Sequence, residues 1–485
     1  MARVPSIRVR AVNDAPVRAG GRYVLYWMTA FRRAAHNFAL DRAAEAAREM
    51  GRPLLVLEAL RAGYPWASDR LHAFVLQGMA DNARALGAAG VAYHPYVEPE
   101  PAAGRGLLSA LASRAALVVA DDFPSFFLAR MVAVAGARLD VRLEAVDSNG
   151  LLPLAAATAV YPTAYAFRRF LQRELPRHLA SFPSPRPLEG RGLAGADLPR
   201  GVASGWPAAS AALLAADAAA LDSLPIDHGV PPAPLHGGSA AAEETLRGFL
   251  RERLARYPER SHPDEDATSG LSPWLHFGHV SAHEIFRRLA RREGWKESRL
   301  GKVTGSRAGF WGMSPEAEAF LDELVTWREL GFNMASKRAD CHRYESLPRW
   351  AQETLAKHAR DRREHVYRLA DLTAARTHDP VWNAAQRQLL VEGRIQNYLR
   401  MLWGKKILEW SRSPREALSA MLELNDRHAL DGRDPNSLSG IFWVLGRYDR
   451  PWGPERPVFG TVRYMSSENT LRKLRARAYL RRWST

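Results

Sequence analysis

Cysteine is almost absent: Cys341 is the only one in 485 residues. An internal disulfide and a multi-cysteine metal site are therefore excluded, and no metal centre is expected, which suits a chain held in a reducing cytoplasm. Apolar runs of the ~20 residues needed to cross a membrane are also missing. Residues 1–21, MARVPSIRVRAVNDAPVRAGG, lack the apolar centre of a secretion signal and read as a flexible lead-in. No G-x-G-x-x-G follows the first apolar run, where YWMTAFRRAAHNFAL stands instead, so the usual dinucleotide fingerprint is lacking. Acidic residues are in deficit, with Asp+Glu 52 against Lys+Arg 68, a net charge of +16. Such an excess favours a polyanionic partner, nucleic acid being the commonest. A GC-rich genome that replaces Lys by Arg would give the same excess without any partner.

What is present fits a soluble globular protein, with 47% hydrophobic and 25% charged residues. The length exceeds what one hydrophobic core supports, so two domains are expected. Short apolar runs at 22–28, 53–60, 91–97, 116–122 and 141–148 alternate with amphipathic stretches such as Leu40 to Met50 and Ser68 to Leu86. Buried strands separated by helices read as βαβ units, so residues 22–165 are expected to form an α/β domain with a doubly wound parallel sheet. Residues 166–240 are crowded with Pro and Gly and read as a long interdomain connector with one or two short helices. From 241 to 485 strand signals nearly vanish. Apolar residues recur at i, i+3, i+4 and i+7 through 241–257, 281–294, 315–330, 350–372, 394–410 and 414–430, which predicts an all-α domain. Ser314-Pro315 and Ser413-Pro414 supply helix starts.

Four stretches of the helical part hold more polar residues than packing requires. Thr268, Ser269 and Ser272 surround Gly270 before a helix, which suits either a phosphate or an ordinary helix cap. Glu329 and Asn333, one helical turn apart beside Trp327, could jointly hold a polar edge or form a solvated face. Between Trp382 and Trp443 lie a basic helix, an Asp-rich turn and four tryptophans. Trp403 and Trp410 are seven residues apart, close to two turns, so on one helix they share a face about 10 Å apart along the axis. That spacing would let electrons step between indoles, although tryptophans at helical spacing are more often core. A buried Arg400 would need a carboxylate, and LNDRHALDGRDPN offers Asp431 and Asp434 beside Asn425. The tail, Leu471 to Thr485, carries six basic residues and no acidic one, as a phosphate-facing or a solvated helix would.

WNAAQ, YLRM.W.KKILEW, LNDR..LDGRDPN, SGLSPWLHFGH, ESLPRWAQETLAKH and THDPVWNAAQ together resemble the photolyase/cryptochrome family, and most closely its class II cyclobutane pyrimidine dimer photolyases. The resemblance covers most of residues 22–475 apart from the connector. It implies an N-terminal α/β antenna domain, a helical FAD-binding domain, and light-driven reversal of pyrimidine dimers in double-stranded DNA. A cryptochrome-like blue-light receptor on the same fold is the alternative. Matched by position, Thr268, Ser269, Leu271 and Ser272 would hold the FAD diphosphate, with Tyr257 and Arg260 just upstream. Arg400 and Asp431 match an ion pair beside the isoalloxazine, Asn425 an asparagine facing flavin N5, and Asp434 a further cofactor contact. Trp382, Trp403 and Trp410 match an electron-transfer triad, with Trp382 as its flavin-proximal or intermediate member. Glu329 matches the glutamate that hydrogen-bonds the dimer, Trp443 a wall of its pocket, and Trp327, Asn333 and Asn397 further contacts. An antenna chromophore, deazaflavin or folate, would sit in the α/β domain, and a monomer is expected. Departures from the class II pattern fall at Ile395-Gln396, where Met-His is usual, and at Phe332-Asn333-Met334, where Asp-Asn-Phe is usual.

Overall fold

The computed structural model describes residues 3–484, and the chain divides into two compact units. The first takes the chain up to Thr158, then Glu174–Leu246 and Pro273–Glu297; the second takes Ala159–Arg173, Arg247–Ser272 and the chain from Ser298 on.

The first unit is built on a six-stranded sheet of β1 (Val9–Ala11), β2 (Tyr23–Met28), β3 (Leu54–Leu60), β4 (Ala92–Val97), β5 (Ala115–Asp121) and β6 (Leu143–Val146). The strand order is β1-β6-β5-β2-β3-β4, with every pair parallel except β1 against β6. Strands β2 and β5 are buried along their whole length, which is why they read as continuous apolar runs. Its longer helices include α1 (Phe38–Glu49), α2 (Asp69–Ala88), α3 (Leu107–Ala112), α4 (Leu128–Gly136) and α5 (Ala282–Arg292). The loop after β2, which lacks the glycine fingerprint, is held by a buried carboxylate. Asp121 Oδ2 accepts from the backbone N–H groups of Thr29, Ala30 and Phe31 at 2.8, 2.7 and 2.9 Å. A carboxylate thus fills the place where such a loop would hold a phosphate.

Two expectations are corrected here. From residue 3 on, the N-terminal segment is not a flexible lead-in: β1 pairs with β6 in the register Val9↔Val146, and the buried Arg8 donates to the carbonyl oxygens of Gly150 and Leu151 at 3.2 and 2.7 Å. A three-residue edge strand centred on an arginine leaves no alternation to read. The stretch read as a connector packs as part of the first unit from Glu174 to Leu246, with helices Val202–Gly205, Ala211–Leu214 and Ala218–Asp222. It docks through backbone groups, Leu54 N–H to Leu193 C=O at 2.9 Å and Ala209 N–H to Pro95 C=O at 2.7 Å, which no side-chain pattern reveals.

The second unit is helical. Helix α6 (Pro315–Leu321) runs through a wide π turn at Asp322–Trp327 into α7 (Arg328–Lys337), and α8 (Pro380–Glu392), α9 (Asn397–Trp410), α10 (Pro414–His428) and α11 (Pro435–Val444) follow. The expected caps form: Ser413 Oγ accepts from Glu416 N–H at 3.1 Å and Ser314 Oγ from Ala317 N–H at 3.4 Å. The core gathers Leu389, Leu399, Leu402, Ile407, Met421 and Phe442 with Trp382, Trp403, Trp410 and Trp483. The stretch 350–372 is not one helix: it forms Arg349–Lys357 and Leu369–Thr373, with a non-helical link between them. Arg363 explains the break, donating to the carbonyl oxygens of Ala359, Asp361 and Ser411 and so tying the link to the end of α9. The predicted helix 281–294 is α5 of the first unit. The basic tail is two short helices, Ser467–Lys473 and Arg477–Arg482, and part of its charge is paired: Arg475 with Glu265 at 3.1 Å and Arg482 with Glu392 at 2.7 Å. Among the described residues no helix is long and apolar enough to cross a membrane.

Candidate active site

Trp382, Trp403, Trp410, Arg400, Asn425 and Trp443, singled out in the sequence, lie on α8 to α11. Asp379 caps α8 by accepting from the N–H groups of Val381 and Trp382 at 2.9 and 3.1 Å, which fixes Trp382 at the helix start. Trp382, Trp403 and Trp410 are all buried. The planes of Trp382 and Trp403 lie 3° apart with ring centroids at 6.4 Å; Trp382 and Trp410 meet edge to face, 69° apart, at 5.7 Å. Trp382 is thus the middle member, and the Trp403–Trp410 helical pair is bridged through it. Its indole N–H donates to Trp403 C=O at 3.0 Å, and that of Trp403 to Gln386 Oε1 at 2.9 Å. Beyond Trp410 stand Tyr367 and His378, each with its ring 5.3 Å from that indole, and the Tyr367 hydroxyl lies 2.7 Å from His378 Nδ1. Tyr367 is half-buried, so the aromatic path runs from the core towards the surface. Sequence reasoning missed Gln386, Tyr367 and His378; Gln386 and His378 both sit inside the THDPVWNAAQ run, while Tyr367 carries no pattern of its own.

The polar cluster forms across the other ends of these helices. Arg400 on α9 donates to Asp431 Oδ1 at 2.8 Å, with side chains only 11% and 12% exposed. The Asn425 amide donates to Asp426 Oδ1 at 2.8 Å and to Ser437 Oγ at 3.0 Å, joining α10 to α11. Asp426 also accepts from the Arg433 backbone at 3.0 Å, where the chain turns with φ +62°. Asp434 accepts from Asn436 N–H at 2.8 Å as the cap of α11.

Gln396, one of the two departures from the class II pattern, is the cap of α9. Its Oε1 accepts from Leu399 N–H at 2.9 Å while its Nε2 donates to Arg260 C=O at 2.6 Å. Arg260 stacks over the Tyr257 ring at 4.7 Å and pairs with Glu323 at 3.0 Å. Burial raises the Glu323 carboxyl, and Arg260 pulls it down. Burial likewise raises the Tyr257 hydroxyl. Ile395, the other residue of that departure, packs into the core. Ala267 and Leu271 are buried and bracket Thr268 to Gly270, with Gly270 at φ +71° and Ser269 Oγ accepting from Leu271 N–H at 3.4 Å.

Helices α7 and α11 pack so closely that a Cβ on Gly331 would sit 2.6 Å from Pro435 O and 2.8 Å from Ser439 Oγ. This brings the helix of Trp327 and Glu329 against that of Trp443. Glu329 is buried, and both tryptophans are half-buried. Asn333 is buried too, but both ends of its amide are engaged by backbone: Nδ2 donates to Ala159 C=O at 2.9 Å and Oδ1 accepts from Tyr161 N–H at 3.3 Å. Asn397 is exposed at the first residue of α9.

No family model matches the sequence. Among curated proteins, the chain is 34% identical over 476 residues to the deoxyribodipyrimidine photolyase of Methanothermobacter thermautotrophicus, covering 98% of this chain and 97% of that protein. The enzyme of the same name from Oryza sativa subsp. japonica is 36% identical over 495 residues, covering 98% and 89%. Among solved structures, a Synechocystis cryptochrome matches all of this chain and 89% of its own with a TM-score of 0.66 at 14% identity, a likeness of fold. The chain therefore belongs to the photolyase/cryptochrome family of flavoproteins. Its enzyme class is deoxyribodipyrimidine photolyase, a carbon–carbon lyase.

Proposed function

We propose that this chain binds FAD and uses blue light to reverse cyclobutane pyrimidine dimers in double-stranded DNA. The single observation that carries this is the contacting array of Trp403, Trp382 and Trp410, which links the α9 segment bearing Arg400 with the half-buried Tyr367. A purely structural role would not require three indoles in contact, aligned outward.

The residues present fit a flavin. Hydroxyls at Thr268, Ser269 and Ser272, with the buried Leu271 among them, suit a diphosphate, and Tyr257 and Arg260 would add further cofactor contacts. Arg400, Asp431 and Asp434 are donors and acceptors of the kind an isoalloxazine edge requires, and Asn425, its amide protons held by Asp426 and Ser437, would present its carbonyl oxygen. FAD, when bound and reduced, supplies the light-driven electron donation to the lesion. The remaining work falls to the protein. Trp410, Trp382 and Trp403 carry electrons inward to keep the cofactor reduced. A dimer is apolar on its faces, so Trp327 and Trp443 suit it as walls, and the buried Glu329 holds its carbonyl or N–H edge. Asn397, exposed at the start of α9, would add a polar contact to the dimer. The net charge of +16 supplies salt-sensitive affinity for the duplex, and a damaged pair costs less to unstack than a sound one.

An antenna chromophore, deazaflavin or folate, belongs to the first unit, where a cavity of about 560 Å³ opens beside Ala34, Asn82, Ala85 and Pro187. We place the protein in the cytoplasm as a monomer. One observation favours the second reading, a blue-light receptor with little repair activity: the Asn333 amide is spent on the backbone at Ala159 and Tyr161 and so does not serve the dimer edge.

Dark binding separates the readings. A dimer-containing duplex is expected to bind more tightly than an undamaged one, and Glu329→Gln to narrow the gap by ~10-fold, the loss of one hydrogen bond to a charged group. Equal affinity for the two duplexes would remove the repair reading.

A further inference from the structure

Lys405 lies two residues beyond Trp403 on α9 and is fully buried. Its Nζ donates to the carbonyl oxygen of Val444 at 2.5 Å and stands 5.0 Å from the ring centre of Trp443. Among the described residues it makes no ion pair; the charged groups acting on it, Asp449 and Arg463, both lie beyond α11, the first attracting the ammonium and the second repelling it. Burying an amine without a carboxylate is costly, and a well-packed apolar side chain would fill the same space more stably. Packing alone therefore gives no reason for a lysine here. What it touches does. Trp443 is half-buried, held by the Lys405 ammonium and, at 5.4 Å, by the Arg463 guanidinium, while part of its indole remains open.

We propose that Lys405 is a positioning residue for Trp443, its ammonium fixing the indole from the protein interior so that the open part presents a set wall to the extruded dimer. This rests on the reading of Trp443 as a lesion contact. A cation over an indole is held by the ring quadrupole, and the attraction is greatest where water is excluded, as here. The neutral amine keeps its hydrogen bond to Val444 but loses that attraction. Burial lowers the amine to about 7, so the holding form prevails below neutral pH and fades above it.

Equilibrium binding of a dimer-containing and an undamaged duplex to the FAD-loaded protein, in the dark and between about pH 6 and pH 8.5, tests this. The ratio of the two affinities is expected to fall about three- to thirty-fold as pH rises through neutrality. Lys405→Met is expected to hold the lower ratio at every pH with its flavin content unchanged, whereas a merely structural lysine would leave the ratio independent of pH. A flat wild-type ratio, or a wild-type ratio in Lys405→Met, overturns the proposal. Trp443→Phe separates the two levels: if it lowers the ratio and Lys405→Met does not, the pocket reading stands and the role of Lys405 falls; if neither lowers it, both fall. Should Lys405→Met fail to fold, the wild-type titration alone decides.

Discussion

The indole of Trp382 lies parallel to that of Trp403 at 6.4 Å and edge-on to that of Trp410 at 5.7 Å, so it is the only one of the three that touches both others. Electron exchange between aromatic rings falls steeply with separation. Replacing Trp382 by Phe removes the shared neighbour, whereas Trp410→Phe leaves the inner pair intact. Photoreduction of the bound flavin, followed by its absorbance under blue light with an external reductant, is expected to be nearly abolished by Trp382→Phe and by Trp403→Phe, and only slowed by Trp410→Phe. Wild-type rates in Trp382→Phe would show that the electrons take another route.

The Arg400–Asp431 pair is nearly buried, so removing one partner strands a charge. Asp431→Asn is expected to cost about 3 kcal/mol in unfolding free energy and to lose flavin. Arg400→Met combined with Asp431→Leu is expected to cost less stability than Asp431→Asn alone, because no charge is stranded, while still losing flavin. Denaturant unfolding and the flavin-to-protein ratio measure the two effects separately.

Gly331 sets the distance between the two helices of the proposed dimer pocket. Helix propensity alone would favour Ala there by about 1 kcal/mol. The added Cβ, however, would meet the backbone oxygen of Pro435 at 2.6 Å, which cannot give way without moving α11. Overpacking of this kind costs about 1–3 kcal/mol, so Gly331→Ala is expected to be destabilising on balance and to weaken dimer binding more than flavin binding. Thermal unfolding and dark binding check it.

How much of this was legible in the residues differs by element. The five parallel strands were, because burial makes each one a short, largely apolar run, most plainly in β2 and β5, which are buried throughout. Trp403 and Trp410 were legible as a helical pair, but their bridge was not: Trp382 lies on another helix, and periodicity says nothing about which helices touch. The Arg400–Asp431 contact came through the family resemblance rather than through spacing, since an arginine and a carboxylate 31 positions apart form no local pattern. Asn333 shows the limit from the other side. Its place one turn from Glu329 was readable, but its backbone partners at Ala159 and Tyr161 lie 174 and 172 positions away.

Asp41 gives the first unit a stability that depends on pH. Burial raises its carboxyl from 3.8 to about 7, although Oδ2 accepts from Ser184 N–H at 2.8 Å. The unfolded chain therefore releases this proton before the folded chain does. The folded state loses stability relative to the unfolded one as pH rises from 3.8 to about 7, by up to about 1.4 kcal/mol per pH unit, and the loss is complete above that. Asp41→Asn keeps an acceptor for Ser184 without the ionisation. It is expected to match wild type near pH 4 and to be the more stable protein above neutrality; parallel unfolding curves across that range would contradict the assignment.

The most direct test of the central claim is repair itself. Fully reduced, FAD-loaded protein is mixed with a duplex carrying one cyclobutane thymine dimer, and the dimer remaining is counted with and without blue light. The account predicts that the dimer is lost in the light, is untouched in the dark, and is lost much more slowly with Glu329→Gln. A dimer that persists under illumination, in protein whose flavin is shown to be bound and reduced, would contradict it.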